Sequence, residues 1–297
     1  MRYLIKRTYN FNIPDRGYWI EKISSWTKFL KKASSSRDCI EINLMNAISK
    51  KKFSSFHIVL LSCFIELLKK RGYLIFLNIK NSDLEEFIHN DMSLTLYWRN
   101  KIDHIDSPDD SRLNLWRVVE GKSDEYEISV HRYFTKKFPE IDFFMLKSSL
   151  GELYFNIFDH SKANGVAFSY IHYDEIEEIM HIAICDFGLG IASTIRNAYP
   201  KIQDDREALF ESIKRGVTAR SNKHNAGFGL DNVISTLSNG SMLRIISNRA
   251  VLLYTKKGRK IKTKTYNLPF EFKGTLINFD LPISSFDKSE IEEEYTF

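Results

Sequence analysis

The sequence predicts an α/β chain, and three observations predict it. In the first third, apolar runs of strand length alternate with longer segments of helical periodicity. Around residues 146–161 an amphipathic helix precedes a new set of strands. One of those strands ends abruptly in a pair of glycines, as strands do where a sheet gives way to a turn. A length of 297 residues with 43% hydrophobic and 27% charged content is ordinary for a globular chain, and the length fits about two domains.

The elements of the first third read in order as a strand over 3–11, a helix over 18–32, a strand over 39–44, a helix over 55–70, a strand over 73–79 and a helix over 82–89. Residues 103–124 then bring a cluster of Asp, Ser, Pro and Gly (DHIDSPDDSRLNLWRVVEGKSD), a composition that favours a linker. The expected division is an α/β domain over 1–108, a linker region over 109–139 and a second α/β domain over 140–297. Past the linker the order changes to a long helix, a hairpin of two strands, a strand ending in a glycine turn, an irregular region, a short helix and further strands to Pro282.

Composition excludes several classes. The first residues carry charge but no following apolar stretch, so no export signal is expected. The most apolar segment, Ile58 to Leu68, contains Ser62 and Glu66 and is far shorter than the roughly 20 residues of a membrane span. It reads as a buried helix, and the expectation is a cytoplasmic protein that does not enter a membrane. Cys39, Cys63 and Cys185 lie far apart in apolar runs with no CxxC, the pattern of reduced core residues. The net charge of +5 is concentrated in Lys50–Lys52, Lys69–Arg71 and Lys256–Lys264. Such runs read first as solvated loops and hairpin tips and second as phosphate-binding surface; nucleic acid is a partner left open but not favoured.

The chemistry starts on the helix LKSSLGELYFNIFDHS. Leu146, Leu150, Leu153, Tyr154, Ile157 and Phe158 follow the spacing that buries one face. The opposite face then gathers Glu152, Asn156, Asp159 and His160. Next, the strand in Glu178–Ile191 (EIMHIAICDFGLGI) ends in Asp186 with Gly188 and Gly190, which let the backbone turn and approach a ligand. In Asn225–Asp231 (NAGFGLD), Gly227 and Gly229 precede a helix with Leu230, Val233, Ile234 and Leu237 on its apolar face, and free N–H groups at such a helix start suit a phosphate. Last, Gly274-Thr275 opens a strand running to Leu281.

The order and spacing of these four elements resemble the nucleotide site of the GHKL ATPases, the superfamily of gyrase, the large heat-shock chaperones, histidine kinases and MutL. The resemblance covers about residues 140–283. It implies a Bergerat-type α/β sandwich, a mixed sheet with helices on one face, that binds ATP and Mg²⁺. By resemblance, Asn156 is the Mg²⁺ ligand, and Glu152, one turn away, the general base. Asp186 accepts a hydrogen bond from the adenine amino group, supported by Thr275. Gly188 and Gly190 allow the purine close, Gly227, Phe228 and Gly229 wrap the phosphates, and residues 192–226 form a mobile lid. A protein-kinase reading of Asp186-Phe187-Gly188 fails because His131-Arg132-Tyr133 lacks the catalytic aspartate. A Rossmann reading fails because the third glycine is missing.

None of the eight histidines is followed by Asp or Glu, so autophosphorylation on histidine is not expected. Little sequence follows the final strand, so the catalytic lysine of a gyrase-like transducer domain is not expected either. What remains resembles the anti-sigma-factor serine kinases and stand-alone ATPases. The segment from Ile40 to Ile79 resembles a STAS-type domain, in which serines such as Ser54 and Ser55 at the helix start are phosphorylated, although Phe53 stands where that family has Asp; read locally, they cap the helix. The resemblance thus implies an ATP-dependent switch with slow hydrolysis or phosphotransfer to a serine of a protein partner. Its rivals are a non-catalytic regulatory module and a histidine-kinase relative without its own phosphoacceptor. A homodimer is left open.

Overall fold

The computed structural model describes residues 3–100, 102–105, 112–161, 165–214, 230, 233–234, 237 and 239–288. Two sheets build it. The first holds β1 (Leu4–Phe11), β2 (Asp38–Leu44) and β3 (Leu74–Ile79), parallel and in the order β1-β2-β3. Parallel neighbours need crossover connections, and α1 (Arg16–Lys28) and α2 (Ser55–Lys70) supply them. Helix α1 starts earlier than expected because Asp15 caps it, its Oδ1 accepting the Tyr18 N–H at 2.7 Å, and it ends at Lys28 with Phe29 as its C-cap. Beyond β3 come the short helices α3 (Ser82–Glu86) and α4 (Leu94–Asn100).

The second sheet has five strands in the order β4-β5-β6-β8-β7: β4 (Arg112–Val119), β5 (Val166–Asp174), β6 (Ile179–Asp186), β7 (Met242–Lys257) and β8 (Lys260–Pro282). Its pairings are all antiparallel, not mixed as expected. Helices α5 (Ser123–Lys137), α6 (Phe144–Ser161), α7 (Ile191–Ala198) and α8 (Asp205–Ser212) follow in chain order. Within 109–139, expected as a linker, residues 112–137 therefore carry an edge strand and a packed helix. The bulge between Leu113 and Trp116 breaks the alternation that would have marked β4.

Alternate residues of β6 enter different cores. Met180, Ile182 and Ile184 join the core under α5, α6, α7 and α8, whereas Ala183 and Cys185 join the core that contains α2. Helices thus cover both faces of this sheet rather than one. The reason lies in α2, which is apolar on nearly every side and must be covered on every side. It lies between the two sheets, and the Cys63 thiol donates to the Cys185 carbonyl at 2.8 Å. All three cysteines are free and buried. No helix among the described residues is long and apolar enough to cross a membrane.

Because the α2 core takes side chains from both sheets, the halves are expected to unfold together. Phe64, fully buried against Tyr9 and Trp26, should cost about 3–5 kcal/mol as Phe64→Ala. Urea midpoints read by tryptophan fluorescence and far-ultraviolet circular dichroism should fall together. Two separated transitions would show that the sheets are independent.

Candidate functional site

Strand β6 ends at Asp186 on the face covered by α6 and α7. Thr275 lies directly opposite it on β8, and Ser247 opposite Thr275 on β7. All three are buried, which makes a polar row across three strands at the end of an apolar face. Asp186 Oδ1 accepts the Gly188 N–H at 2.6 Å. Its other oxygen, Oδ2, is buried and has no hydrogen-bond partner among the described residues. Burial pushes the carboxyl up to about 7, against the lowering influence of the Gly188 N–H and Thr275.

The turn after Asp186 is held by residues that the sequence did not single out. The first N–H groups of α7 lack helical acceptors. Thr275 Oγ1 accepts that of Ile191 at 3.3 Å, Ser247 Oγ that of Ala192 at 3.4 Å, and Asn248 Oδ1 that of Ser193 at 3.0 Å. Asn248 Nδ2 also donates to the Leu189 carbonyl at 2.9 Å. Gly190 has φ +85°, and a Cβ there would lie 2.5 Å from Asn248 Oδ1 and 2.7 Å from the Gly274 carbonyl oxygen. Glycine at 190 is thus required by the protein's own neighbours, a different reason from the purine approach expected of it. A positive φ of +52° at Asn248 was the one trace of this clamp, and a sequence does not display it.

On α6 the expected burial holds: Leu146, Leu150, Leu153, Tyr154 and Ile157 are in the core, and Glu152 and Asn156 are half-buried off that stripe. Helix α6 packs against α7, the helix that the Asp186 turn leads into. The side chains of Asp159 and His160 lie outside the described set. A further carboxyl was missed: a Cβ on Gly151 would meet Glu127 Oε2 at 2.7 Å, which places Glu127 of α5 beside Glu152. Burial first, then Asp124, push Glu127 up to about 7; Lys147 pulls it down and Glu152 adds to the rise. The only sequence signal was the spacing of Tyr126, Val130 and Phe134, whose burial turns Glu127 partly inward.

Gly227, Phe228 and Gly229 lie outside the described residues. The apolar face expected after them is in place, with Leu230, Val233 and Leu237 buried and Ile234 packed at the core's edge. The segment expected as a mobile lid, 192–226, begins instead with α7 and α8, anchored through Ala192, Ile195, Ala208 and Leu209; its later part is outside the described residues. The basic run 256–264 is the exposed tip of the β7–β8 hairpin.

No protein-family model matches the chain, and no curated protein matches it in sequence. Among solved structures it is similar to the topoisomerase IV ATP-binding domain of Francisella tularensis in complex with a small-molecule inhibitor, at 13% identity and a TM-score of 0.30. That match spans 58% of this chain and 43% of the other. Similarity at that level carries no argument about function, and the residues themselves must bear it.

Proposed function

We propose that the chain binds Mg-ATP as a GHKL-type protein and acts as a nucleotide-dependent switch, with slow hydrolysis or phosphotransfer to a serine of a protein partner. One observation carries the reading: Asp186, buried at a glycine turn beside Thr275, keeps an acceptor oxygen without a partner. A buried acceptor without a donor costs about 1–3 kcal/mol, and the adenine amino group is a donor of the right kind. The Gly188 N–H holds the carboxylate by its other oxygen. Asn156, an oxygen donor suited to a hard cation, is the residue that would hold Mg²⁺. Bound Mg²⁺ supplies charge neutralisation at the phosphates. Glu152 is the proposed base, with Glu127 of α5 close to the same turn of α6. Gly227, Phe228 and Gly229 are proposed to cradle the phosphates through their backbone N–H groups.

The STAS-like reading of residues 1–108 belongs to the same proposal, supported by the parallel sheet in which α2 connects β2 to β3. Turnover and Mg-ATP affinity should be measured on wild type, Glu152→Ala and Asn156→Ala. Loss of a general base costs about a hundredfold or more in rate, so Glu152→Ala should keep its affinity and lose turnover. Asn156→Ala should lose the magnesium-dependent part of the affinity. Equal turnover in wild type and Glu152→Ala removes the enzyme and leaves the non-catalytic switch; unchanged affinity in Asn156→Ala removes the metal assignment.

A further inference from the structure

A cavity of about 390 Å³ lies between the two halves, on the face of the five-stranded sheet opposite Asp186. Across that face run Arg112, His172, His181 and Asp280, paired strand to strand on β4, β5, β6 and β8. Asp186 lies five positions beyond His181 along β6, roughly 17 Å at strand rise, so this is a second place on the molecule. The opposite wall is the start of α2, where Ser54, Ser55 and Phe56 line the cavity with Arg16, Lys50 and Lys51.

We propose that this cavity binds a small phosphorylated molecule whose body carries hydroxyl groups. Two independent features point to such a ligand. The first is cationic: Arg16 and Lys51 line the cavity with Ser54 and Ser55 at the start of the sixteen-residue α2, where dipole and N–H groups favour a phosphate. Lys50 shares its charge with Asp91 at 2.7 Å. Arg16 has no carboxylate within ion-pair distance among the described residues; its Nη2 reaches only the Ser54 hydroxyl at 3.4 Å. His57, whose Nδ1 accepts the Ser54 N–H at 3.1 Å and whose Nε2 donates to the Pro14 carbonyl at 3.0 Å, fixes the helix start in that position.

The second feature is an acceptor. Asn278 lines the cavity, is only 9% exposed, and its Oδ1 has no hydrogen-bond partner among the described residues. Beside it, Asp280 holds His181 Nδ1 at 2.6 Å and retains further acceptor capacity. A simple anion would satisfy the cations and leave Asn278 unpaired. A phosphate ester with hydroxyl groups satisfies both, and the volume lies in the range of small-ligand sites.

The test is isothermal titration of the whole chain, without magnesium, against inorganic phosphate, ribose 5-phosphate and ribose. Phosphate should bind saturably, ribose 5-phosphate about tenfold more tightly through the added hydrogen bonds, and ribose not at all. Arg16→Gln should weaken both phosphate ligands about tenfold or more. Lys51→Gln, at an exposed position that does not risk the fold, should weaken them in the same direction. Asn278→Ala should erase the advantage of the ester and leave phosphate binding intact. In a separate titration, Mg-ATP affinity should be the same in wild type, Arg16→Gln and Lys51→Gln, which separates this site from the proposed nucleotide site. No saturable phosphate binding in wild type, or unchanged affinity in both Arg16→Gln and Lys51→Gln, would overturn the proposal. Ribose 5-phosphate binding no more tightly than phosphate would overturn the assignment of Asn278 and Asp280.

Discussion

Asp186→Asn is expected to abolish ATP binding and, at pH 8, to make the chain harder to unfold. The two effects share one cause. The carboxyl titrates near 7 when folded, against 3.8 as its ordinary value, because burial disfavours its charge. Between those values the unfolded chain is ionised there and the folded chain holds the proton, so stability falls as pH rises through the window. Above pH 7 the full penalty is present, on the order of 4 kcal/mol as an upper bound at 1.36 kcal/mol per unit. An amide of the same shape carries no such penalty, yet it presents a donor where the adenine amino group needs an acceptor. Urea denaturation of both proteins from pH 4 to pH 8 should show the variant's advantage widening steadily. Parallel curves would mean that Asp186 is not held against its charge.

Gly274→Ala should produce the largest loss of stability from a single methyl group. The residue has φ +97°, and a Cβ there would lie 2.1 Å from the Asp186 carbonyl oxygen. That oxygen belongs to backbone in a central strand, so relief requires β6 and β8 to part. A cost of about 4 kcal/mol or more is expected. Gly258→Ala is the control: it also has positive φ, at +58°, but sits at the hairpin tip with nothing within 4 Å of the added carbon. Only the backbone preference is lost there, about 1 kcal/mol. Thermal unfolding of the two variants should differ by several-fold in ΔTm; similar shifts would show that the strand contact at 274 is loose.

Those two residues also show what a sequence can and cannot display. The pairing of Asp186 with the glycine turn was readable because an apolar strand ending in Asp-x-Gly-x-Gly is a local pattern. Strands β1, β2 and β3 and helices α2 and α6 were readable for the same reason, through periodicity within one segment. The Ser247–Asn248 clamp on α7 was not, because its partners are more than fifty residues away and its residue types are common. Strand β4 was hidden by its bulge. The coverage of both sheet faces was hidden because α2 reads as a buried helix whichever elements bury it. The cavity opposite Asp186 is of the same kind: Arg16, Lys50, Arg112, His181 and Asn278 come from different elements and meet only once the two sheets share α2.

The proposed recognition of the adenine amino group by Asp186 and Thr275 separates ATP from purines that lack that group. It is tested most directly by titrating the wild-type chain at pH 8 with Mg-ATP, Mg-GTP and the magnesium complex of purine riboside triphosphate, which lacks the amino group. ATP should bind saturably, with both other nucleotides weaker by about tenfold or more, since a missing donor leaves the buried oxygen unpaired. Equal affinity for the three would contradict it.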